Sequence, residues 1–141
     1  MDDARRKAFL AAIYRFDSED GELLLTVDSP NAALLDLLHS RGTQSAAVIT
    51  AFNPQGRRQD DTLNRAAQDV LLRDLTTAGH DIFPGRNEDP DGRWPVEASF
   101  LVLGISLSAA RALAARHNQL AFLWADAVTA TPRLIETAAS A

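Results

Sequence analysis

Glu97 stands two residues ahead of a strongly apolar stretch, Ser99 to Ile105, with Trp94 and Pro95 just before it. A carboxylate drawn into such surroundings must find a partner or keep its proton to higher pH, because burial penalises the charged form. That makes Glu97 the best general-base candidate in the chain. The same position suits a structural carboxylate accepting backbone amides of the loop 84–95, and both readings stand. No second carboxylate of matching type accompanies it, so the paired-acid chemistry of glycosidases has no support.

Asn64 is the second polar residue in an apolar place. Advancing about 100° per residue from Leu63, the apolar residues of the helix beginning near Asp61 span about −20° to 120°. Asn64 falls near 100° and Asp74 near 20°, both inside that stripe, again on the basis of about 100° per residue. A buried Asn left unpaired costs on the order of 1–3 kcal/mol, so it must be bonded. It either ties down the loop from Asn53 to Gln59 or faces a ligand at the sheet edge, while Asp74 reads as pairing with a nearby Arg. Thr50 and Asn53 close a central strand, and ligand crevices form outside the carboxyl ends of strands. The next helix offers free N–H groups that favour anions, and Arg57 and Arg58 form a small basic pair in the loop. That loop, Asn53-Pro54-Gln55-Gly56-Arg57-Arg58, has one Gly and no Gly-Lys-Ser/Thr ending, so it is not a P-loop.

Other chemistries are excluded more simply. The chain has no cysteine, which removes disulfides, thiolate metal sites and a Cys nucleophile together. His39, His80 and His117 show no metal spacing, so neither a metal nor a cofactor is expected. His117, at the end of the Ala110–Leu113–Ala114 stripe, reads as complementing a helix dipole. Ser99, Ser106 and Ser108 lack a Gly-x-Ser-x-Gly elbow, which argues against a triad hydrolase.

The elements that must position these residues follow from periodicity. A hairpin is expected from Ile13–Phe16 and Glu22–Val27 around a loop of about five residues, 17–21. A helix starts at Pro30, capped by Asp28 or Ser29, and stops at Gly42. Residues 46–52 lack alternation and read as a central strand covered on both faces. The helix of Leu63 to Ala78 is capped by Asp60 or Asp61 and ends at Gly79. A short strand at 80–83, a Gly/Pro/Asp-rich loop at 84–95, a buried strand at 99–105, a helix at 109–117 and a strand at 120–125 complete the pattern. One more strand is suggested at 133–135, and one or two helical turns at 2–12. The expected fold is α/β (α+β): one domain, 1–141, a layered sandwich with a mixed sheet in the order β-β-α-β-α-β-β-α-β. Its core runs from about 13 to 135, with loosely ordered termini.

Composition sets the outer bounds. With 141 residues, 46% apolar and 23% charged, the chain suits one globular domain and neither disorder nor a coiled coil. Its apolar runs fall far short of the roughly 18–20 residues of a membrane span. Charges throughout the first twenty residues argue against a leader, so a cytoplasmic location is expected. The net charge is −5 and no stretch is strongly basic, which argues against a nucleic-acid face.

Taken together, Ile49-Thr50-Ala51-Phe52-Asn53-Pro54, Asn64, Gly79, the run Trp94 to Ile105 and Asn118-Gln119 resemble the domain-of-unknown-function 3293 family of small bacterial proteins. The resemblance covers roughly Tyr14 to Leu134. It implies recurrent polar positions at Thr50, Asn53, Asn64, Glu97, Ser99 and Gln119; Asn118 stands where a Gly is common and Leu120 where Asn is frequent. It implies no reaction. The expectation is a cluster of Asn53, Asn64, Glu97 and Gln119 at one hollow. Amides read donor and acceptor patterns well and catalyse poorly, so the cluster suggests a non-catalytic module for a small polar molecule or a protein partner. The alternative is a small hydrolase or transferase on a nucleotide-like substrate, with Glu97 as base and Arg57 or Arg58 clamping an anion.

Overall fold

The computed structural model describes residues 1–138. Helix α1 (Asp3–Ala11) is capped by the Asp2 carboxylate, which accepts the Arg5 N–H at 2.8 Å. This helix falls where one or two helical turns were expected; at the other end, residues 139–141 lie outside the described residues. Strands β1 (Ile13–Ser18) and β2 (Gly21–Leu25) make a hairpin whose ladder reaches Ser18 opposite Gly21. The turn is thus shorter than expected, because polar Asp17 and Ser18 keep pairing at what is an edge of the sheet.

Helix α2 (Ala32–Ser40) is capped by Asn31, whose side chain accepts the Leu34 N–H at 2.9 Å, so it begins after Pro30 and not at it. Strand β3 (Ser45–Ile49) follows, then a tight turn at Pro54–Gly56 and helix α3 (Asp61–Thr77), capped by Asp60. Strands β4 (Asp81–Glu88) and β5 (Glu97–Leu103), helix α4 (Leu107–Arg116) capped by Ser106, and strands β6 (Ala121–Asp126) and β7 (Arg133–Glu136) complete the chain.

The strands form one seven-stranded sheet in the order β2-β1-β4-β5-β3-β6-β7, and every neighbouring pair is antiparallel. The expected mixed sheet is corrected to an antiparallel one, and the fold class is α+β. The helical connections do join like-directed strands: β2 to β3, β3 to β4, and β5 to β6. Between the members of each pair lies at least one strand running the other way.

Two cores lie on the two faces. Ala46 and Val48 of β3 pack with Leu34 and Leu38 of α2 in one. Ala47 and Ile49 pack with Leu71 and Leu75 of α3 and Ala110 and Ala114 of α4 in the other. Strand β3 is apolar without alternation because each of its faces serves a separate core. Strand β4 runs on through Pro84 and Gly85, five residues beyond the short strand expected. Its ladder with β1 stops at Gly85, one residue short of Pro84.

Candidate functional site

Strands β3 and β4 end where β1, β5 and β6 begin, since each of those three runs antiparallel to a neighbour that ends there. A cavity of about 260 Å³ opens at this end of the sheet. Its walls include Tyr14 of β1, Thr50, Phe52 and Asn53 after β3, Asn87 at the end of β4, Glu97 at the start of β5, and Gln119 ahead of β6. Ala8 and Phe9 of α1 close over it. Arg5 fastens that helix by donating to the Gly56 carbonyl at 3.1 Å. Gly56 sits at φ 68°, a conformation that favours glycine, and a Cβ there would lie 2.7 Å from Arg5 Nε, so a side chain would displace the arginine.

The loop after β3 is built on amide side chains. Asn53 takes the left-handed conformation (φ 48°), which Asn tolerates better than most residues. Its Nδ2 donates to Glu97 Oε2 at 2.9 Å, and its Oδ1 accepts the Gln59 N–H and Asn64 Nδ2, both at 3.0 Å. Asn64 Oδ1 in turn accepts the Asn53 N–H and Gln59 Nε2, both at 2.8 Å. Asn64 is 3% exposed and lies outside the cavity lining, so its side chain anchors the loop and meets the cavity only through Asn53.

The remaining expected residues divide. The Thr50 hydroxyl donates to the Ala98 carbonyl at 2.6 Å and accepts the Phe52 N–H at 3.0 Å, tying β3 to β5. Gln119 Nε2 donates to the carbonyls of Phe52 (3.1 Å) and His117 (3.3 Å), leaving its Oε1 without a partner among the described residues. Ser99 is buried outside the lining and donates to Asn87 Oδ1 at 2.7 Å. Arg58 lines the cavity and Arg57 does not. Asp74 meets His117 Nε2 at 2.8 Å and Arg116 at 3.7 Å, away from the cavity. Among the described residues no cluster of His, Cys, Asp and Glu could hold a metal ion, and no helix is long and apolar enough to cross a membrane.

Charge is distributed unevenly around this cavity. Burial raises the Glu97 carboxyl above its ordinary value, opposed by the Asn53 hydrogen bond. Burial also raises the Tyr14 phenol, and the neighbouring Glu97 charge adds to it; the phenol donates to the Phe9 carbonyl at 3.0 Å. Two other lining carboxylates move the opposite way: Glu88 is lowered by hydrogen bonds from Arg86 and then Arg15, and Asp89 by the backbone N–H of Asp91 and then those of Arg93 and Trp94. Asp89, not Glu97, is thus the carboxylate that organises the loop between β4 and β5, accepting at 2.9, 2.8 and 3.0 Å. That loop presents Arg93 and Trp94 to the cavity. Glu97 Oε1 has no hydrogen-bond partner among the described residues.

Sequence reasoning missed Tyr14, Asn87 and Asp89. Asp89-Pro90-Asp91-Gly92 carried a usable signal, a turn sequence with Asp first and Gly fourth, closed by Gly92 N–H to Asp89 O at 3.0 Å. Tyr14 carried none, being one aromatic in an alternating strand.

Residues 49–122, just over half of the chain, match a family of proteins of unknown function, DUF3293. The chain belongs to this family. No curated protein and no solved structure matches it. The DUF3293 segment includes Asn53, Asn64, Glu97 and Gln119, and so spans the loop framework and the Glu97 side of the cavity. Tyr14 and the covering helix α1 lie outside it.

Proposed function

We propose that this DUF3293 protein binds a small polar ligand in the cavity at the end of its sheet. The observation that carries the reading is Glu97: one carboxyl oxygen is fixed by Asn53, and the other reaches an open cavity with no partner among the described residues. A half-buried carboxyl with an unused acceptor is costly to the fold alone and useful to a ligand that donates a hydrogen bond. Gln119 Oε1 offers a second such acceptor. The concave site favours a small molecule over a protein loop as occupant.

The test is a thermal-shift series over nucleotides, amino acids and sugars. A ligand at about 100 times its Kd stabilises by about 2.7 kcal/mol, a rise of several degrees in Tm. The rise should shrink sharply in Glu97→Gln, which keeps the shape of the side chain but not its charge. A flat response across all classes would overturn the proposal. The raised pKa of Glu97 also favours a second reading, a hydrolase or transferase with Glu97 as general base, since a useful base is tuned toward the working pH. In that case wild type turns the bound molecule over and Glu97→Gln holds it unchanged.

A further inference from the structure

The polar groups of the cavity that the fold leaves unused differ with burial. The less exposed ones are acceptors, Glu97 Oε1 and Gln119 Oε1. Two exposed arginines, Arg58 and Arg93, also line the cavity; neither forms an ion pair within 4.0 Å among the described residues, although Arg93 is near enough to Asp89 to help lower its carboxyl. Trp94, 46% exposed, lines the cavity too, and its backbone N–H donates to Asp89 at 3.0 Å. An exposed Trp on a loop with a bonded backbone offers an aromatic face on which a flat heterocycle can stack. The volume, about 260 Å³, lies just below the usual range for ligand sites, about 300–1,000 Å³. It has room for a base and part of a sugar, and the arginines in its lining are the exposed groups that a charged end of the ligand would meet.

We propose that the ligand is a nucleoside phosphate with an amino-bearing base: the amino edge donates to Glu97 and Gln119, the ring lies beside Trp94, and the phosphate meets Arg58 and Arg93. The inference rests on the ligand-binding reading above and narrows it to one chemical class. A guanidinium matches phosphate geometry in two parallel hydrogen bonds, which suits two exposed arginines in the lining. The carboxylate discriminates because an exocyclic amine donates where an exocyclic carbonyl presents only lone pairs to Glu97.

Titration calorimetry with CMP, AMP and GMP, set against UMP, IMP, the matching nucleosides, ribose 5-phosphate and free amino acids, tests this. Amino-bearing nucleotides should bind about tenfold or more tightly than their carbonyl-bearing counterparts, their nucleosides and ribose 5-phosphate. Trp94→Ala should cost about tenfold for the nucleotide and leave ribose 5-phosphate unchanged. Joint replacement of Arg58 and Arg93 by Ala should bring the nucleotide down to the level of its nucleoside. Glu97→Gln should abolish the preference for amino over carbonyl bases. These side chains are exposed or keep their shape, and an unchanged far-ultraviolet dichroism spectrum verifies that each variant is folded. Equal binding of ribose 5-phosphate or an amino acid, lost in Glu97→Gln, would overturn the nucleotide assignment and keep the cavity as a binding site. Binding of none of these compounds would overturn both.

Discussion

Asn64 shows what a single amide can hold in place. Its carbonyl oxygen serves the Asn53 N–H and the Gln59 side chain, and its NH₂ group serves Asn53 Oδ1 at 3.0 Å and the Gln59 carbonyl at 3.3 Å. Asn64→Leu keeps the volume and removes all of these, leaving partly buried amides unpaired. The expected cost is about 1–3 kcal/mol, read as a lower urea midpoint at unchanged slope. An unchanged midpoint would mean that the loop holds itself. The importance of Asn64 was legible in sequence because a polar side chain fell inside an apolar stripe. Gln68 was not, although its Oε1 accepts the Ala51 N–H at 2.8 Å. Leu63, from which the apolar stripe is counted, faces solvent, as does Val70 at its edge, and the buried face turns instead through Asn64, Gln68, Leu71 and Leu75. A helix anchored to its neighbours through amides does not orient itself by hydrophobicity alone, so the apolar pattern pointed in slightly the wrong direction.

Strand β4 is the element that sequence pattern hid best. Pro lacks a ladder donor and Gly weakens a strand, so Pro84-Gly85 reads as the start of a loop. Here Gly85 is required by the sheet: a Cβ at that position would lie 1.9 Å from the Arg15 carbonyl oxygen and 2.5 Å from Phe16 Cδ1. The strands approach so closely that only a hydrogen fits. Gly85→Ala must push β1 away from β4, at an expected cost of about 3 kcal/mol or more, the upper end for overpacking. Because β1 carries Tyr14 and β4 carries Asn87 and leads directly into Asp89, the same change should weaken ligand binding at a distance. Hydrogen exchange that stays as slow in β1 as in the wild type would contradict this account. The strands that were legible, β3 and β5, are those with two apolar faces; β4, with polar residues toward its cavity end, offers no such signature. The antiparallel sheet was equally hidden, since alternation of strands and helices does not say which strand slips between two like-directed ones.

At the scale of the whole molecule, stability and binding should respond to pH in opposite directions, both through Glu97. Its folded-state pKa lies above the ordinary value of 4.5, so the folded protein binds this proton more tightly than the unfolded chain does. The stability gained is complete below that ordinary value and is lost as pH rises through the raised one. Glu88 and Asp89, both depressed, act below the ordinary carboxyl range, where stability is lost as pH falls, so their effect is separated from that of Glu97. Facing the same carboxyl are Tyr14, whose raised phenol stays neutral, and Asn53, which does not titrate. Wild-type Tm should therefore decline from about pH 4.5 upward through this window, and Glu97→Gln should remove the decline. A ligand that donates to Glu97 favours the ionised form, so its affinity should strengthen across the same window in wild type and stay flat in the variant. Parallel Tm curves for the two proteins would mean that Glu97 ionises without cost, and a cavity that leaves its acceptor unused would then have no energetic reason to be filled.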